Sequence, residues 1–192
     1  MSLFSLFHRK PSPSKIAEDL GPLFVQVAVH ECGSFQQIWK RQLDDETQVM
    51  LFAEFAIILV AVADRLVFDK FGDPTRSKVI NRVVETVRDC FVNQSHFGDT
   101  RQERIVYFER FFADRFQSFA TCSSIMGEGQ DSLISTGTRY LAETFLEDIP
   151  ESQLPEAVLE TDKTLSKSVV ALLATPIFKA LCENNRDSDY LK

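Results

Sequence analysis

The chain has 192 residues, with 21 lysine and arginine against 28 aspartate and glutamate residues, so its formal charge is −7. This length suits a single domain that buries its own core without disulfide or metal support. Hydrophobic residues make up 44% of the chain, which excludes a wholly disordered protein. The acidic balance argues against a general nucleic-acid binder, because binding to phosphates needs an excess of cations.

Residues 1–13 are predicted to form a flexible N-terminal tail. They place the apolar side chains of Leu3, Phe4 and Phe7 before a short basic stretch, and the segment ends among prolines. A segment of this kind suits contact with a partner protein or weak contact with an anionic membrane, since its apolar part is too short for a strong anchor.

The first helices are predicted over residues 14–20 and 23–43. Gly21 and Pro22 separate them, because proline lacks the N–H that a helix interior needs. Valines at positions 25, 27 and 29 alternate with Gln26, Ala28 and His30, which is the period of a strand. A strand needs a partner, and no second strand candidate follows in the sequence, so we favour helix for this stretch.

The next helix is predicted over residues 46–71, and Asp45 and Gln48 have the spacing of a capping box at its start. Residues 49–63 are apolar apart from Glu54. This run is shorter than the ~20 residues that span a bilayer. It therefore predicts a helix that is buried on nearly all sides.

A sharp boundary follows, and it predicts a helix over residues 74–94. Gly72 suits the end of the preceding helix, Asp73 can cap the next one, and Pro74 fits the first helical turn. Valine, isoleucine and phenylalanine recur at three- and four-residue steps in this helix, which indicates one buried face and one wet face.

A helix is predicted over residues 100–122, where Thr100 and Glu103 have capping-box spacing. Its four arginines share the helix with three acidic residues, which is typical of a mixed, solvated face. Large side chains also repeat at helical spacing and predict a stripe that faces the core. The stripe consists of Ile105, Phe108, Phe111, Phe112, Phe116 and Phe119.

Two more helical regions are predicted over residues 132–147 and 155–182, and Pro176 should kink or split the second. The polar residues 184–192 are expected to form a C-terminal tail. Residues 14–183 then contain six or seven helices with short connections, so we expect an all-α helical bundle in a single domain.

The sequence carries few groups suited to catalysis or metal binding. Its histidines are His8, His30 and His96, and its cysteines are Cys32, Cys90, Cys122 and Cys182. None has the spacing of a metal or catalytic motif, so we expect no catalytic, cofactor-binding or metal-binding residue and a protein that is not an enzyme. Dispersed cysteines without a signal-peptide pattern predict free thiols and a cytoplasmic protein.

Two features provide candidate contacts. Glu54 lies in an apolar run, where a carboxylate needs a cation from another helix, a ligand or protonation. Phenylalanine is over-used, with 17 residues, and such rings either fill a core, line an apolar pocket or form a dimer face. The candidate ligand or partner contacts are Glu54, Phe108, Phe112, Phe116, Leu3, Phe4 and Phe7.

The sequence favours a non-enzymatic protein-interaction, adaptor or assembly module. The alternative is a helical bundle that binds or senses an apolar small molecule in a phenylalanine-lined cavity. We expect a homodimer, because apolar positions are dense in residues 74–94 and 100–122 and two-fold dimers are common. No nucleic-acid partner is expected, because no basic face is evident.

Overall fold

A computed structural model describes residues 12–126 and 132–182 of the chain. Within these residues there are seven helices and no strand, which confirms the prediction of an all-α bundle. The helices are α1 (Pro13–Ile38), α2 (Asp45–Phe71), α3 (Asp73–Gln94), α4 (Arg101–Ala120), α5 (Leu133–Phe145), α6 (Leu154–Leu173) and α7 (Pro176–Cys182). Leu3, Phe4 and Phe7 of the predicted N-terminal tail lie outside the described residues, as does the predicted C-terminal tail 184–192.

Helix α2 forms the centre of the bundle. Every residue from 51 to 64 is buried, and α1, α3, α4, α5 and α7 all pack against this helix. A helix that is apolar around its whole circumference can be stable in water only when neighbours cover every side. The long apolar run, which only Glu54 interrupts, therefore determines which helix lies innermost, as the sequence predicts. No helix in the described part is long and apolar enough to cross a membrane.

The start of α2 differs from the predicted capping box by one residue. The cap is Asp44, whose carboxylate accepts a hydrogen bond from the backbone N–H of Thr47 at 2.8 Å. Asp45 is already helical, and the amide of Gln48 donates to the backbone carbonyl of Leu43 at 2.8 Å. Both Asp44 and Asp45 are suitable caps by residue type, so spacing alone selected the wrong one.

Helix α1 is continuous, so the prediction of two helices separated at Gly21 and Pro22 is wrong. Pro22 is exposed, and so is Glu18, whose carbonyl loses its partner at the proline and can bond to water instead. Gly21 is buried against α3, where an added Cβ would lie 2.8 Å from the Cβ of Thr86. The glycine thus lets α1 and α3 approach closely and does not end the helix.

The remaining boundaries follow the sequence more closely. Gly72 has a φ of 71° and ends α2, but Asp73 does not cap α3, because Asp73 is already the first helical residue and Gly72 takes the cap position. The Asp73 carboxylate instead accepts a hydrogen bond from Arg76 at 3.1 Å. Thr100 and Glu103 form the expected capping box of α4. The helical region before Pro176 ends at Leu173 and α7 begins at the proline, which confirms the predicted split.

Helix α4 is much less buried than its phenylalanine stripe predicts. Of its 20 residues, only Phe108 and Phe119 are buried. The helix packs against α2 and α3 and touches α5 lightly, so one long side has no neighbour within the described residues. The rings that fill the core come instead from several helices: Phe24, Phe35, Phe55, Phe91, Phe108, Phe119 and Phe178 are all fully buried.

Candidate interaction surface on helix α4

The outer side of α4 carries an open apolar groove of about 480 Å³. Val106 is 45% exposed and Tyr107 is 37% exposed, and these two large side chains are adjacent along the helix. We call this groove the α4 face. It is lined by Gln102, Glu103, Val106, Tyr107, Arg110, Phe111 and Asp114.

Helical spacing explains why these side chains lie together. Positions 103, 107, 110 and 114 are three or four residues apart, so they form one row along the helix surface. The capping box fixes the start of that row, because the Glu103 carboxylate accepts a hydrogen bond from the backbone N–H of Thr100 at 2.9 Å. The same bond lowers the pKa of Glu103, so this carboxylate is ionised at neutral pH.

Tyr107 is held rigidly by aromatic neighbours. Its ring stacks on Phe97 with centroids 4.5 Å apart and planes inclined by only 6°, and Phe91 and Phe111 stack at 6.1 and 6.5 Å. Its hydroxyl donates to the sulfur of Met50 at 3.6 Å, and burial raises its pKa. A partner that contacts this ring would therefore not have to order it first.

The three phenylalanines predicted as contacts occupy different environments. Phe108 is fully buried and tilts against Phe91 with ring centroids 5.3 Å apart, so it belongs to the core. Phe112 and Phe116 are half-buried and stack on each other at 5.0 Å. These two rings border the core on the side of α4 that leans toward its neighbours, so neither lines the α4 face.

Glu54 anchors α4 to the central helix. Its carboxylate is completely buried and its Oε1 accepts a hydrogen bond from Nε of Arg115 at 2.7 Å. Arg115 also lies over the rings of Tyr140 and Phe111, at 4.2 and 5.2 Å. Burial raises the pKa of Glu54, and the guanidinium opposes that shift. The cation that the apolar run requires is thus supplied by α4.

The charges around the α4 face are not balanced locally. Arg115 is paired with Glu54, and Glu109 lies 3.6 Å from Arg88 of α3. Arg110 is exposed and forms no ion pair with any residue in the described ranges. An unpaired arginine beside exposed apolar side chains is a common composition for a protein-binding surface.

A cleft of about 660 Å³ lies where α1 meets the start of α2 and the end of α3. It includes Cys32, Cys90 and His96, but burial raises the pKa of the Cys32 thiol to about 12, so this sulfur is a poor nucleophile at neutral pH.

Residues 12–126 and 132–182 contain no group of three or more His, Cys, Asp or Glu side chains that is placed to hold a metal. Four clefts on this part of the chain contain at most one phenylalanine each, and Glu54 lines none of them.

Sequence reasoning did not single out Val106, Tyr107 or Arg110. Val106 and Tyr107 lie just beside the phenylalanine stripe. With them, the apolar surface of the helix becomes wider than the side that can face the core. That excess width is the signal that could have revealed a second apolar face on this helix.

Comparison with known proteins finds no family model, no curated protein and no solved structure that matches this chain.

Proposed function

We propose that this chain is a non-enzymatic protein-interaction module, of the adaptor or assembly type, and that it binds through the α4 face. The observation that carries the proposal is the pairing of Val106 and Tyr107 as exposed neighbours above the half-buried Phe111. Elsewhere, exposed large side chains such as Leu159 and Val170 of α6 are separated by charged and polar residues, which is ordinary for a protein surface.

The composition of the α4 face supports a protein partner. Tyrosine, phenylalanine and arginine are enriched in protein interfaces and contribute most of the binding energy in many of them. Here Tyr107, Arg110 and Phe111 lie within one helical turn, and the stacked rings beneath Tyr107 keep it rigid. Polar groups at both ends of the groove provide the rim that such interfaces have.

The cytoplasm is the proposed location of this module. Cys32, Cys90 and Cys122 are free thiols, which persist in reducing compartments. The helices of the described part include no candidate membrane span, which is compatible with this location.

Site-specific photo-crosslinking in native cell extract tests the proposed surface. A photoreactive phenylalanine analogue replaces Val106 in one protein and Leu159 in a matched control, since these side chains are 45% and 53% exposed. We expect protein adducts from position 106 that disappear when Arg110 is also changed to glutamate, and few adducts from position 159. Equal adduct formation at the two positions would contradict the proposal.

A further inference from the structure

We infer that the occupant of the α4 face is a second copy of this chain, packed antiparallel across a two-fold axis that passes between Val106 and Tyr107. The inference rests on the proposed function, because it names the partner of the same surface. It follows from the order of side chains along α4. When a second copy of the helix lies antiparallel to the first, an acidic residue of each copy faces a basic residue of the other.

The register comes from the distance of each residue to the axis. Glu103 and Arg110 lie three and a half residues on either side of it, about one helical turn, so both point toward the second copy. Reversing the helix brings Arg110 opposite Glu103 of the second copy, and the symmetry repeats this pair. Val106 and Tyr107, which flank the axis, then each pack against their own counterpart in the other copy, and Phe111 lies at the level of its Gln102.

The two charged groups are prepared for this pairing. Arg110 has no counter-ion among the described residues, so pairing breaks no ion pair within them. Glu103 is already oriented, because its Oε2 accepts the hydrogen bond from the backbone N–H of Thr100. Asp114 lies about two turns from the axis, where helices that cross at about 20–50° have separated.

The contact is small, so the dimer should dissociate readily. Helix α4 has 20 residues and is therefore about 30 Å long, and its exposed apolar centre is only Val106 and Tyr107 in each copy. Two such faces bury less than the roughly 1,200–2,000 Å² that stable complexes bury. We therefore expect a reversible dimer with a dissociation constant in the micromolar range and a clear dependence on salt.

A charge-swap experiment tests the register. Arg110→Glu places two acidic residues opposite each other, and Glu103→Lys places two basic residues opposite each other, so each variant should bind itself at least about tenfold more weakly than the wild type. A mixture of the two variants restores both opposite-charge pairs. Analytical ultracentrifugation of the full chain from about 1 to 300 μM measures each association.

The expected result is a wild-type dimer, two variants that each bind themselves at least about tenfold more weakly, and a heterodimer in their mixture. Arg139→Glu on α5 is the matched control and should dimerise like the wild type. Glu103→Gln keeps the acceptor of the capping box, so it replaces the lysine variant if circular dichroism shows lost helix. Its self-association should be weaker than that of the wild type, and mixing it with Arg110→Glu should restore one of the two ion pairs and strengthen association.

Three results would overturn the inference. They are a wild-type chain that stays monomeric over the whole range, a dimer that Arg110→Glu leaves intact, and a mixture that does not associate. The proposed function is tested separately. Photo-crosslinking from position 106 detects other protein partners even when the chain does not bind itself.

Discussion

Replacing Arg115 with methionine is the most direct test of how α4 is held on the bundle. The substitution keeps an unbranched side chain over Tyr140 but removes the guanidinium that donates to Glu54 at 2.7 Å. Glu54 is fully buried, and its second oxygen has no hydrogen-bond partner among the described residues. The variant therefore leaves a carboxylate in an apolar core without any compensating charge.

The expected loss of stability is about 3 kcal/mol, at the lower end of the roughly 3–5 kcal/mol observed when one partner of a buried ion pair is removed. The lower end applies because Arg115 is 24% exposed, so water reaches part of the pair. For a protein of this size such a loss lowers the melting temperature by roughly 6–12 °C. Thermal and urea unfolding, followed by circular dichroism, measure both quantities.

The pH dependence identifies the carboxylate as the cause. Burial raises the pKa of Glu54 above its ordinary value of 4.5, so the folded protein binds this proton at a higher pH than the unfolded chain does. Proton binding by Glu54 therefore stabilises the folded state fully below about pH 4.5, and this contribution is lost as the pH rises through the pKa of Glu54 in the folded protein. Without Arg115 that pKa rises further, so the variant should lose stability more steeply between pH 4.5 and 7.

The double variant with Glu54→Gln is the control for this reasoning. Glutamine cannot ionise, so the double variant should recover part of the lost stability, and its remaining cost relative to the wild type should vary less with pH. If Arg115→Met alone costs less than about 1 kcal/mol, as an exposed ion pair would, and its cost does not change with pH, then Glu54 does not depend on Arg115.

Two pairs of substitutions test the packing, and both are measured by urea unfolding. Gly21→Ala should destabilise by about 1–3 kcal/mol, because its Cβ would lie 2.8 Å from Thr86, whereas Gly33→Ala in the same helix meets nothing within 4 Å and should stabilise by up to about 1 kcal/mol. Equal effects would contradict close packing of α1 on α3. Phe108→Ala should cost about 3–5 kcal/mol because the ring is fully buried, and the half-buried Phe112→Ala roughly half as much. Similar costs for the two would mean that α4 is rotated from the orientation described.

The central position of α2 could be predicted because its signal does not depend on neighbours. Residues 51–63 are apolar on every helical face except for Glu54, so only complete enclosure satisfies them. The split at Pro176 is also confirmed, but proline alone does not decide it, because Pro22 removes the same backbone hydrogen bond inside the continuous helix α1.

Helix α1 shows where local reasoning fails. Gly21 and Pro22 together form a strong local signal for a break, yet the helix continues because tertiary packing outweighs that preference. The buried face of α1 lies against α2 and α3, and Gly21 is the residue that permits the closest approach. A sequence shows that a residue is small but not what it is packed against.

The role of each arginine on α4 depends on the direction in which its side chain points from the helix. The number of charged residues in the sequence does not reveal that direction. Arg110 and Arg115 are five residues apart, and this spacing turns the side chain by about 140° around the helix. Arg115 therefore points inward to Glu54, while Arg110 points outward beside Tyr107. The inward arginine fixes the rotation of α4, so it also determines which apolar residues remain on the outside. Its loss should for that reason weaken self-association even though Arg115 lies outside the groove itself.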